Sequence, residues 1–410
     1  MRENWRLAPL RNGLDAASGV ERVAIAGSTI IVVQRREGDA IARLLVGTWR
    51  DGQPTEPLAA MVDIELPGHT GRSRVAELFL DPTGNHAIVA LSGGTTLYLP
   101  CALTATALRL GSERLRGHPV TAVAWNARRG TAEATGPILL GTRDGLLFEA
   151  AVSAATAMKA RGTLDTCLSL VHTLPAWPPA PGGVKDPVRG LLFDEVAAES
   201  AAGGANPAPR KYAVMVCVVG DARPLRYSQF VGGPSFGALF AHPRYALPQQ
   251  APVQIVPPTS SQSCGSELCC WRRWGGAGSS DSAAARAFAI LTGPGVCVGE
   301  LECGSALAPG DAFARKTRVL PFSEDEKSSA LPLSVSRTEF HVILLFADRV
   351  QIKSTLTARV VATLPLFSAA LGLARDARSG RILVYSSGGI YALDVAEVSA
   401  LFIYRYISHE

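Results

Sequence analysis

The sequence predicts an all-β fold: a seven-bladed β-propeller of consecutive four-stranded antiparallel meanders, with loop insertions. Short runs rich in Val, Ile and Thr alternate with turn signals along most of the chain, a pattern typical of strands. These runs group into units of roughly 40 to 50 residues, the length of a propeller blade. Almost no stretch keeps a helical period for three turns. The three observations together favour a ring of small sheets.

The clearest units lie in residues 75–150. A strand at 75–80 leads into a turn at 81–85, in which Pro82 presets φ and Gly84 tolerates positive φ. The pair Asp144-Gly145 between two apolar runs predicts a tight hairpin. Gly117-His118 ahead of the strand at 120–125 has the rhythm of a WD-type blade, although the closing Trp-Asp dipeptide is missing.

The remaining units follow in order on both sides of this segment. We assign residues 318–320 to the start of the sixth unit, and we expect exposed connections at 174–183 and 197–209, which are rich in Pro, Gly and Ala. The predicted strands outside 75–150 are 20–34 with a turn at 27–28, 41–49, 61–66, 188–196, 212–219, 225–230, 253–256, 267–271, 288–291, 296–301, 318–320, 331–336, 341–346, 350–356, 360–364, 371–375, 382–385 and 390–395.

A closed ring is expected because a single meander leaves two open edges, whereas a ring of packed sheets leaves only short ones. We expect a lead-in at residues 1–19 that closes onto the propeller, the propeller itself at 20–396, and the start of a carboxyl-terminal helix or linker at 397–410. A two-sheet sandwich is the alternative, but one sandwich rarely absorbs so many units.

Five segments also resemble the amino-terminal region of the vacuolar protein sorting-associated protein 18 (deep orange) family. They are FLDPTG at 79–84, VAWN at 123–126, TGPILLGTRDGLLFEA at 135–150, AFAILTGPGVCVGEL at 287–301 and LSVSRTEFHVILLFADRV at 333–350. The resemblance runs in order over most of residues 70–395 and implies a β-propeller. Family members continue into a helical solenoid and a RING-type zinc module, which this sequence does not contain, so it resembles either a fragment or a short member.

Composition narrows the class of function. The hydrophobic fraction of 47% with 18% charged residues can fill a large core. The net charge is +5, and no run of five basic residues occurs, so the pattern of a nucleic-acid binder is missing. The amino terminus lacks a signal-peptide stretch, and the apolar runs at 212–219 and 342–346 are far shorter than the roughly 20 residues of a membrane helix. A basic face touching an anionic membrane remains open.

The patterns that could carry chemistry fail on spacing or context, so we predict no catalytic residue, cofactor or metal. Ser235 lies in a G-x-S-x-G pattern, but Pro243 follows too soon for the long helix of a nucleophile elbow. His118 is expected to form a structural hydrogen bond within its sheet or turn, and not to act as a base. Gly293-Pro294-Gly295 does not have dinucleotide-loop spacing.

The eight cysteines are too few for a disulfide scaffold, and we expect reduced thiols that behave as small hydrophobic side chains. A structural zinc site needs paired ligands at short spacing, repeated twice, and the chain offers no Cys-x-x-Cys pair. The cysteines weighed for such a site are Cys264, Cys269, Cys270, Cys297 and Cys303.

The predicted protein-binding residues are Arg128, Arg129, Arg272, Arg273 and Trp274, because Arg and Trp are enriched at interface hot spots. The alternative is structural. Arg128 and Arg129 would then form a solvated loop tip, and the neighbouring Trp271 would pack in the core.

The resemblance implies a non-enzymatic core subunit of the endosomal and vacuolar tethering complexes HOPS and CORVET, which promote SNARE-driven membrane fusion and protein transport to the vacuole or lysosome. It also implies other class C vacuolar protein sorting subunits, SNAREs and small-GTPase-linked subunits as partners. We expect a cytoplasmic protein, peripheral on late endosomes and vacuoles or lysosomes, that binds no nucleic acid. Two alternatives stay open: a coat or trafficking propeller that binds peptide motifs, and a glycan hydrolase with acidic residues or His in the central channel.

Overall fold

Seven antiparallel sheets, each formed largely by one consecutive segment of the chain, make up the computed structural model. The predicted seven-bladed propeller is confirmed, and the two-sheet sandwich is excluded. The structure describes residues 5–10, 19–35, 41–50, 53–54, 60–65, 74–101, 108–109, 114–153, 155–156, 165–175, 186–197, 210–218, 226–247, 268–272, 285–292, 295–302, 307–322 and 331–395.

The strands are numbered in chain order, and blades 1 to 7 begin at β2, β7, β11, β15, β18, β22 and β26. They are β1 (Trp5–Pro9), β2 (Val20–Ala26), β3 (Thr29–Gln34), β4 (Ile41–Arg50), β5 (Gln53–Pro54), β6 (Ala60–Glu65), β7 (Val75–Leu80), β8 (His86–Leu91), β9 (Thr96–Pro100), β10 (Leu108–Arg109), β11 (Val120–Ala124), β12 (Ala134–Thr142), β13 (Leu146–Ser153), β14 (Leu168–Thr173), β15 (Val188–Ala197), β16 (Arg210–Val218), β17 (Arg226–Gly232), β18 (Leu268–Arg272), β19 (Ala285–Leu291), β20 (Gly295–Leu301), β21 (Ala314–Pro321), β22 (Ser334–Arg337), β23 (His341–Leu345), β24 (Arg349–Ser354), β25 (Val360–Pro365), β26 (Ala370–Arg375), β27 (Ile382–Ser386) and β28 (Gly389–Val395). A short helix, α1 (Phe236–Ala241), follows blade 4.

The ring closes through its inner and its outer strands. Each inner strand contacts the inner strand of the next blade, and β26 of blade 7 contacts β2 of blade 1. The outermost strand of blade 7 is β1, which comes from the opposite end of the chain and pairs with β28 from Trp5↔Val395 to Pro9↔Tyr391. The predicted lead-in therefore contributes a strand to the last blade.

The core lies between the blades. Among the described residues, seven apolar clusters each join two neighbouring blades. Between blades 4 and 5, for example, Met215 and Cys217 pack with Phe288, Ile290 and Phe313. Middle strands such as β8 and β23 are buried at every residue because both faces of the blade are covered. The buried strands predicted near 212–219 and 342–346 are confirmed as β16 and β23.

One strand assignment was wrong. Residues 318–320 belong to β21, the fourth strand of blade 5, which pairs with β20 through Val296↔Leu320 and does not open blade 6. The strand begins earlier, at Ala314, in the polar sequence ARKT, which carries no apolar signal. The buried ring of Phe313 fixes the chain next to blade 5 just before it. The strand predicted at 253–256, the helix at 397–410 and most of the connections at 174–183 and 197–209 lie outside the described residues.

The turn after the inner strand is built in the same way in three blades. A buried Asp or Asn lies one or two residues after the end of the strand, and its side chain accepts main-chain hydrogen bonds from the residues that follow. The residues are Asp81, Asn126 and Asp376, in blades 2, 3 and 7. The side chain of Asp81 accepts four hydrogen bonds. Its Oδ1 accepts from the amides of Asn85 and His86, both at 2.8 Å, and its Oδ2 accepts from the amide and the hydroxyl of Thr83.

We expect Asp81→Ala to lower the free energy of unfolding by about 2–3 kcal/mol, because it leaves several donors in a buried turn without an acceptor. Asp81 is only 2% exposed. Asp348→Ala is the matched control, since Asp348 is largely exposed and pairs with the adjacent Arg349; its effect should stay within about 0.5 kcal/mol. Urea unfolding of both variants measures the difference. Equal stability of the two variants would contradict the structural role of Asp81.

Candidate interaction surfaces

Arg128 and Arg129 lie in the loop between β11 and β12 and are held by blade 4. Arg128 Nε donates to Asp194 Oδ1 at 3.0 Å, and Arg129 Nε lies 2.8 Å from Glu195 Oε1. Asn126 joins the same network, because its amide nitrogen donates to Glu195 Oε1 at 2.9 Å. Both carboxylates are buried in β15. The two arginines therefore fasten blade 3 to blade 4, and their role in partner binding stays a prediction.

We expect Arg129→Ala to lower the free energy of unfolding by about 2–3 kcal/mol. The substitution leaves the buried carboxylate of Glu195 without its cation, and the partial exposure of Arg129 moderates the loss. The control is Arg315→Ala, whose pair with Glu302 is half exposed on both sides. Thermal unfolding should separate the two variants, and a Glu195→Gln exchange in the Arg129→Ala background should recover part of the loss. If the losses of stability from Arg129→Ala and Glu195→Gln simply add in the double variant, the result would argue against the pairing of these two side chains.

The structure describes only one of the other three predicted binding residues, and that one only by its backbone. The structure assigns Arg272 to the end of β18, the inner strand of blade 5, and its side chain is outside the described part of the chain. Arg273 and Trp274 also lie outside it. These three residues stay a predicted contact.

Four of the six large apolar side chains that are exposed among the described residues lie on or beside the outer strand of blade 6. Leu356, Val360, Val361 and Phe367 are all more than a third exposed, and Phe367 is 97% exposed. We call these four residues the blade-6 edge. They lie on and beside β25, which ends its sheet and pairs with β24 alone among the described strands. Exposed apolar groups at an open strand edge are typical of a protein-binding surface.

The central channel is lined by residues from all seven inner strands and encloses about 640 Å³. Five arginines line it, of which Arg375 lies at the end of β26 in blade 7. The other four come from consecutive blades, and we call Arg22, Arg74, Arg143 and Arg189 the arginine cluster. Among the described lining residues, Glu77 is the single acidic group and no histidine occurs. A glycoside hydrolase ordinarily needs two carboxyl groups flanking the bond it cleaves, so this lining does not favour the hydrolase alternative.

The residues weighed for chemistry have structural contacts. Ser235 is the N-cap of α1, and its Oγ accepts from the amide of Ala238 at 3.2 Å. His118 Nδ1 lies 2.7 Å from Asp144 Oδ2, in the β12–β13 turn of the same sheet, so the predicted structural bond is present and joins two neighbouring turns of blade 3. Burial raises the pKa of the Cys297 thiol to about 11 and that of Cys101 to about 12. Both thiols therefore stay protonated and weakly reactive near neutral pH.

Two further findings concern the described residues only. No three or more His, Cys, Asp or Glu side chains gather there in a group that could hold a metal ion, although Cys264, Cys303 and the side chain of Cys270 lie outside this part. No helix in it is long and apolar enough to cross a bilayer.

Comparison with known sequences shows which proteins this chain resembles. The sequence model of the Pep3/Vps18/deep orange beta-propeller domain family matches residues 56–395 of this chain. The vacuolar protein sorting-associated protein 18 homologue of Danio rerio is 28% identical over 355 residues, which cover 83% of this chain and 31% of that protein. The Drosophila melanogaster homologue is 27% identical over 346 residues, covering 78% and 31%. This chain thus spans about a third of the length of these relatives.

A comparison of structures supports the fold alone. The beta-propeller domain of Cps50 (Swd1) from Myceliophteria thermophila superposes with a TM-score of 0.53, covering 96% of this chain and all of that one, at 9% identity. At this identity the likeness extends to the propeller architecture and not to a function.

Proposed function

The chain belongs to the Pep3/Vps18/deep orange beta-propeller family, and on this premise we propose that it is an interaction subunit of a HOPS- or CORVET-like tethering complex. In that role it acts in vesicle docking, membrane fusion and protein transport to the vacuole or lysosome. The observation that carries the proposal is the match of the family model over most of the propeller. The relatives named as vacuolar sorting proteins in an animal and in Arabidopsis thaliana support it.

The mechanism is binding without chemistry. The ring presents rigid strand edges and turns, and the blade-6 edge offers apolar side chains on and beside β25, which pairs with β24 alone among the described strands. An extended segment of another class C subunit would add to β25 and bury Val360 and Phe367. Main-chain bonds would supply affinity, and the side-chain contacts would supply selectivity. SNAREs and small-GTPase-linked subunits would be reached through the assembled complex.

Localisation follows from the same proposal. The subunit is cytoplasmic and lies peripherally on late endosomes and vacuoles or lysosomes, held there by its complex.

A second candidate function is a coat or trafficking propeller that binds peptide motifs. The open edge of β25 favours this candidate as well, because strand addition is a general way of capturing extended peptides.

The test is affinity purification of the chain from cells, scored for the class C subunits and for SNAREs. A second arm assays the purified chain for glycan hydrolysis. Recovery of class C subunits supports the proposal. Recovery of coat components without class C subunits favours the peptide-binding candidate, and hydrolase activity without either group of partners would overturn the proposal.

A further inference from the structure

We propose that the arginine cluster binds a compact multivalent oxyanion, a small molecule that carries several phosphate or sulfate groups, at one mouth of the central channel. The proposal concerns a site separate from the blade-6 edge and does not depend on the tethering role.

Topology places the four arginines at the same end of the channel. The inner strands run in the same direction around the ring, and Arg22, Arg74 and Arg189 lie at or just before the beginnings of β2, β7 and β15. Arg143 lies in the turn between β12 and β13, and its amide donates to the carbonyl of Pro119, just before β11 begins. Blades 1 to 4 therefore each contribute one guanidinium group to one arc of the mouth.

The cluster has more positive charge than its surroundings neutralise. All four guanidinium groups act electrostatically on a single carboxyl group, that of Glu77 in β7. Among the described lining residues, Glu77 carries the one carboxyl group beside these four guanidinium groups, so positive charge is in excess at this mouth. Burial raises the pKa of Glu77, and the four arginines only partly oppose that shift. Glu77 is therefore a weak internal counterion, and an external anion would face less competition from it.

The four arginines differ in the hydrogen bonds that they form and in the exposure of their side chains. Arg22 is a structural member: its Nε and Nη2 donate to the carbonyl of Ala76 at 3.1 and 2.8 Å, and its Nη1 donates to that of Glu21 at 3.0 Å. Arg74 and Arg143 have exposed side chains, and that of Arg189 is half-buried. The last three therefore have guanidinium groups accessible from the channel mouth, while Arg22 fixes blade 1 against blade 2.

Ligand chemistry follows from the guanidinium group and from the size of the channel. Guanidinium forks bind phosphate and sulfate oxygens through paired hydrogen bonds. The volume of about 640 Å³ falls within the roughly 300–1,000 Å³ of small-molecule sites. Several anionic groups on one small ring would meet several arginines at once, whereas a single phosphate would meet one or two.

The test is titration calorimetry of the 410-residue chain with inositol hexakisphosphate and with inositol hexasulfate. Arg143→Gln and Arg189→Gln are each expected to weaken binding about tenfold, the loss of one charge-assisted contact. Arg315→Gln is the charge-matched control on β21, outside the channel lining, and should bind like the unaltered chain. A second arm uses vesicles with and without a phosphorylated inositol lipid, so that a lipid headgroup is distinguished from a free ligand.

The result that would overturn the proposal is no binding in either arm, or binding that Arg315→Gln weakens as much as Arg143→Gln does. Binding of an acidic peptide, with no response to either inositol probe, would also overturn it. Circular dichroism of each variant verifies folding. Retained binding of class C subunits by Arg143→Gln would distinguish this site from the tethering surface.

Glu77 supplies an independent readout. The hexasulfate keeps its charge over the working pH range, so a pH dependence of its affinity reports on the protein. As pH falls through the raised pKa of Glu77, the carboxylate takes up a proton, the positive excess grows, and affinity should increase. The charged groups that face Glu77 from β2, the start of β7, the β12–β13 turn and β15 are the four arginines, which remain charged throughout.

At a pH above the pKa of Glu77, Glu77→Gln should bind the hexasulfate about tenfold more tightly than the unaltered chain, and its affinity should be less dependent on pH. A Glu77→Gln variant with the affinity and pH profile of the unaltered chain would contradict the placement of the anion beside this carboxyl group.

Discussion

Removal of residues 1–10 is expected to lower the free energy of unfolding by on the order of 3–5 kcal/mol and to open the ring at blade 7. The deletion removes the five-residue ladder between β1 and β28. It also removes the side chains of Trp5 and Leu7, which pack on the cluster between blades 6 and 7. The ladder and the apolar contacts each contribute a few kcal/mol, and the entropy of ordering the strand offsets part of the sum.

Rescue in trans makes this test specific. A synthetic peptide of residues 1–10, added to the shortened chain, should restore stability in proportion to its concentration, because it binds the folded state at the open edge of β28. The same peptide with Leu7→Asp should rescue poorly, since Leu7 packs against the blade 6 and 7 cluster. A shortened chain as stable as the full one would show that β1 does not close the ring.

Phe288→Ala is expected to cost about 3–5 kcal/mol, the range found when a fully buried phenylalanine is truncated. Phe288 is 0% exposed at the centre of the cluster between blades 4 and 5. Its ring also lies over Gly299, where an added Cβ would approach Cε1 to 2.4 Å. The space that the ring leaves is therefore bounded on one side by the backbone of Gly299 and otherwise by the side chains of the cluster.

The chain contains its own control, because Phe367→Ala removes the same side chain from an almost fully exposed position. Its effect on stability should stay within about 0.5 kcal/mol. Guanidinium chloride unfolding of the two variants measures the comparison. Equal midpoints would contradict the position of the core between the blades.

The blade pattern could be predicted because its signals are local. The turn at Asp81–Asn85 and the Asp144-Gly145 hairpin occur within a few residues, and the structure places strands on both sides of each. The lead-in at residues 1–19 was expected to close onto the propeller, but its pairing with β28 joins opposite ends of the chain, so no local pattern encodes the register. The start of β21 was missed for a related reason: its first residues are polar, and its partner strand and the buried Phe313 fix its position.

The candidate surfaces were harder to predict because they depend on contacts between blades. The sequence shows Arg128 and Arg129 as an isolated basic pair, whereas their carboxylate partners lie 66 residues away, in β15. The arginine cluster combines single residues from four blades, and its only sequence signal is an arginine near the start of several inner strands. The blade-6 edge had a local signal, the adjacent Val360 and Val361, but the exposure of Phe367 becomes visible only in the fold.

The affinity of the purified chain for purified class C subunits tests the central claim most directly, measured for the unaltered chain, for Phe367→Ser and for Leu170→Ser. Leu170 is the matched control, since it is 52% exposed on β14 of blade 3, away from the blade-6 edge. We predict binding that Phe367→Ser weakens at least about tenfold, a loss of roughly 1.4 kcal/mol, and that Leu170→Ser leaves unchanged. Absence of binding to every class C subunit, or equal weakening by the two variants, would contradict the account.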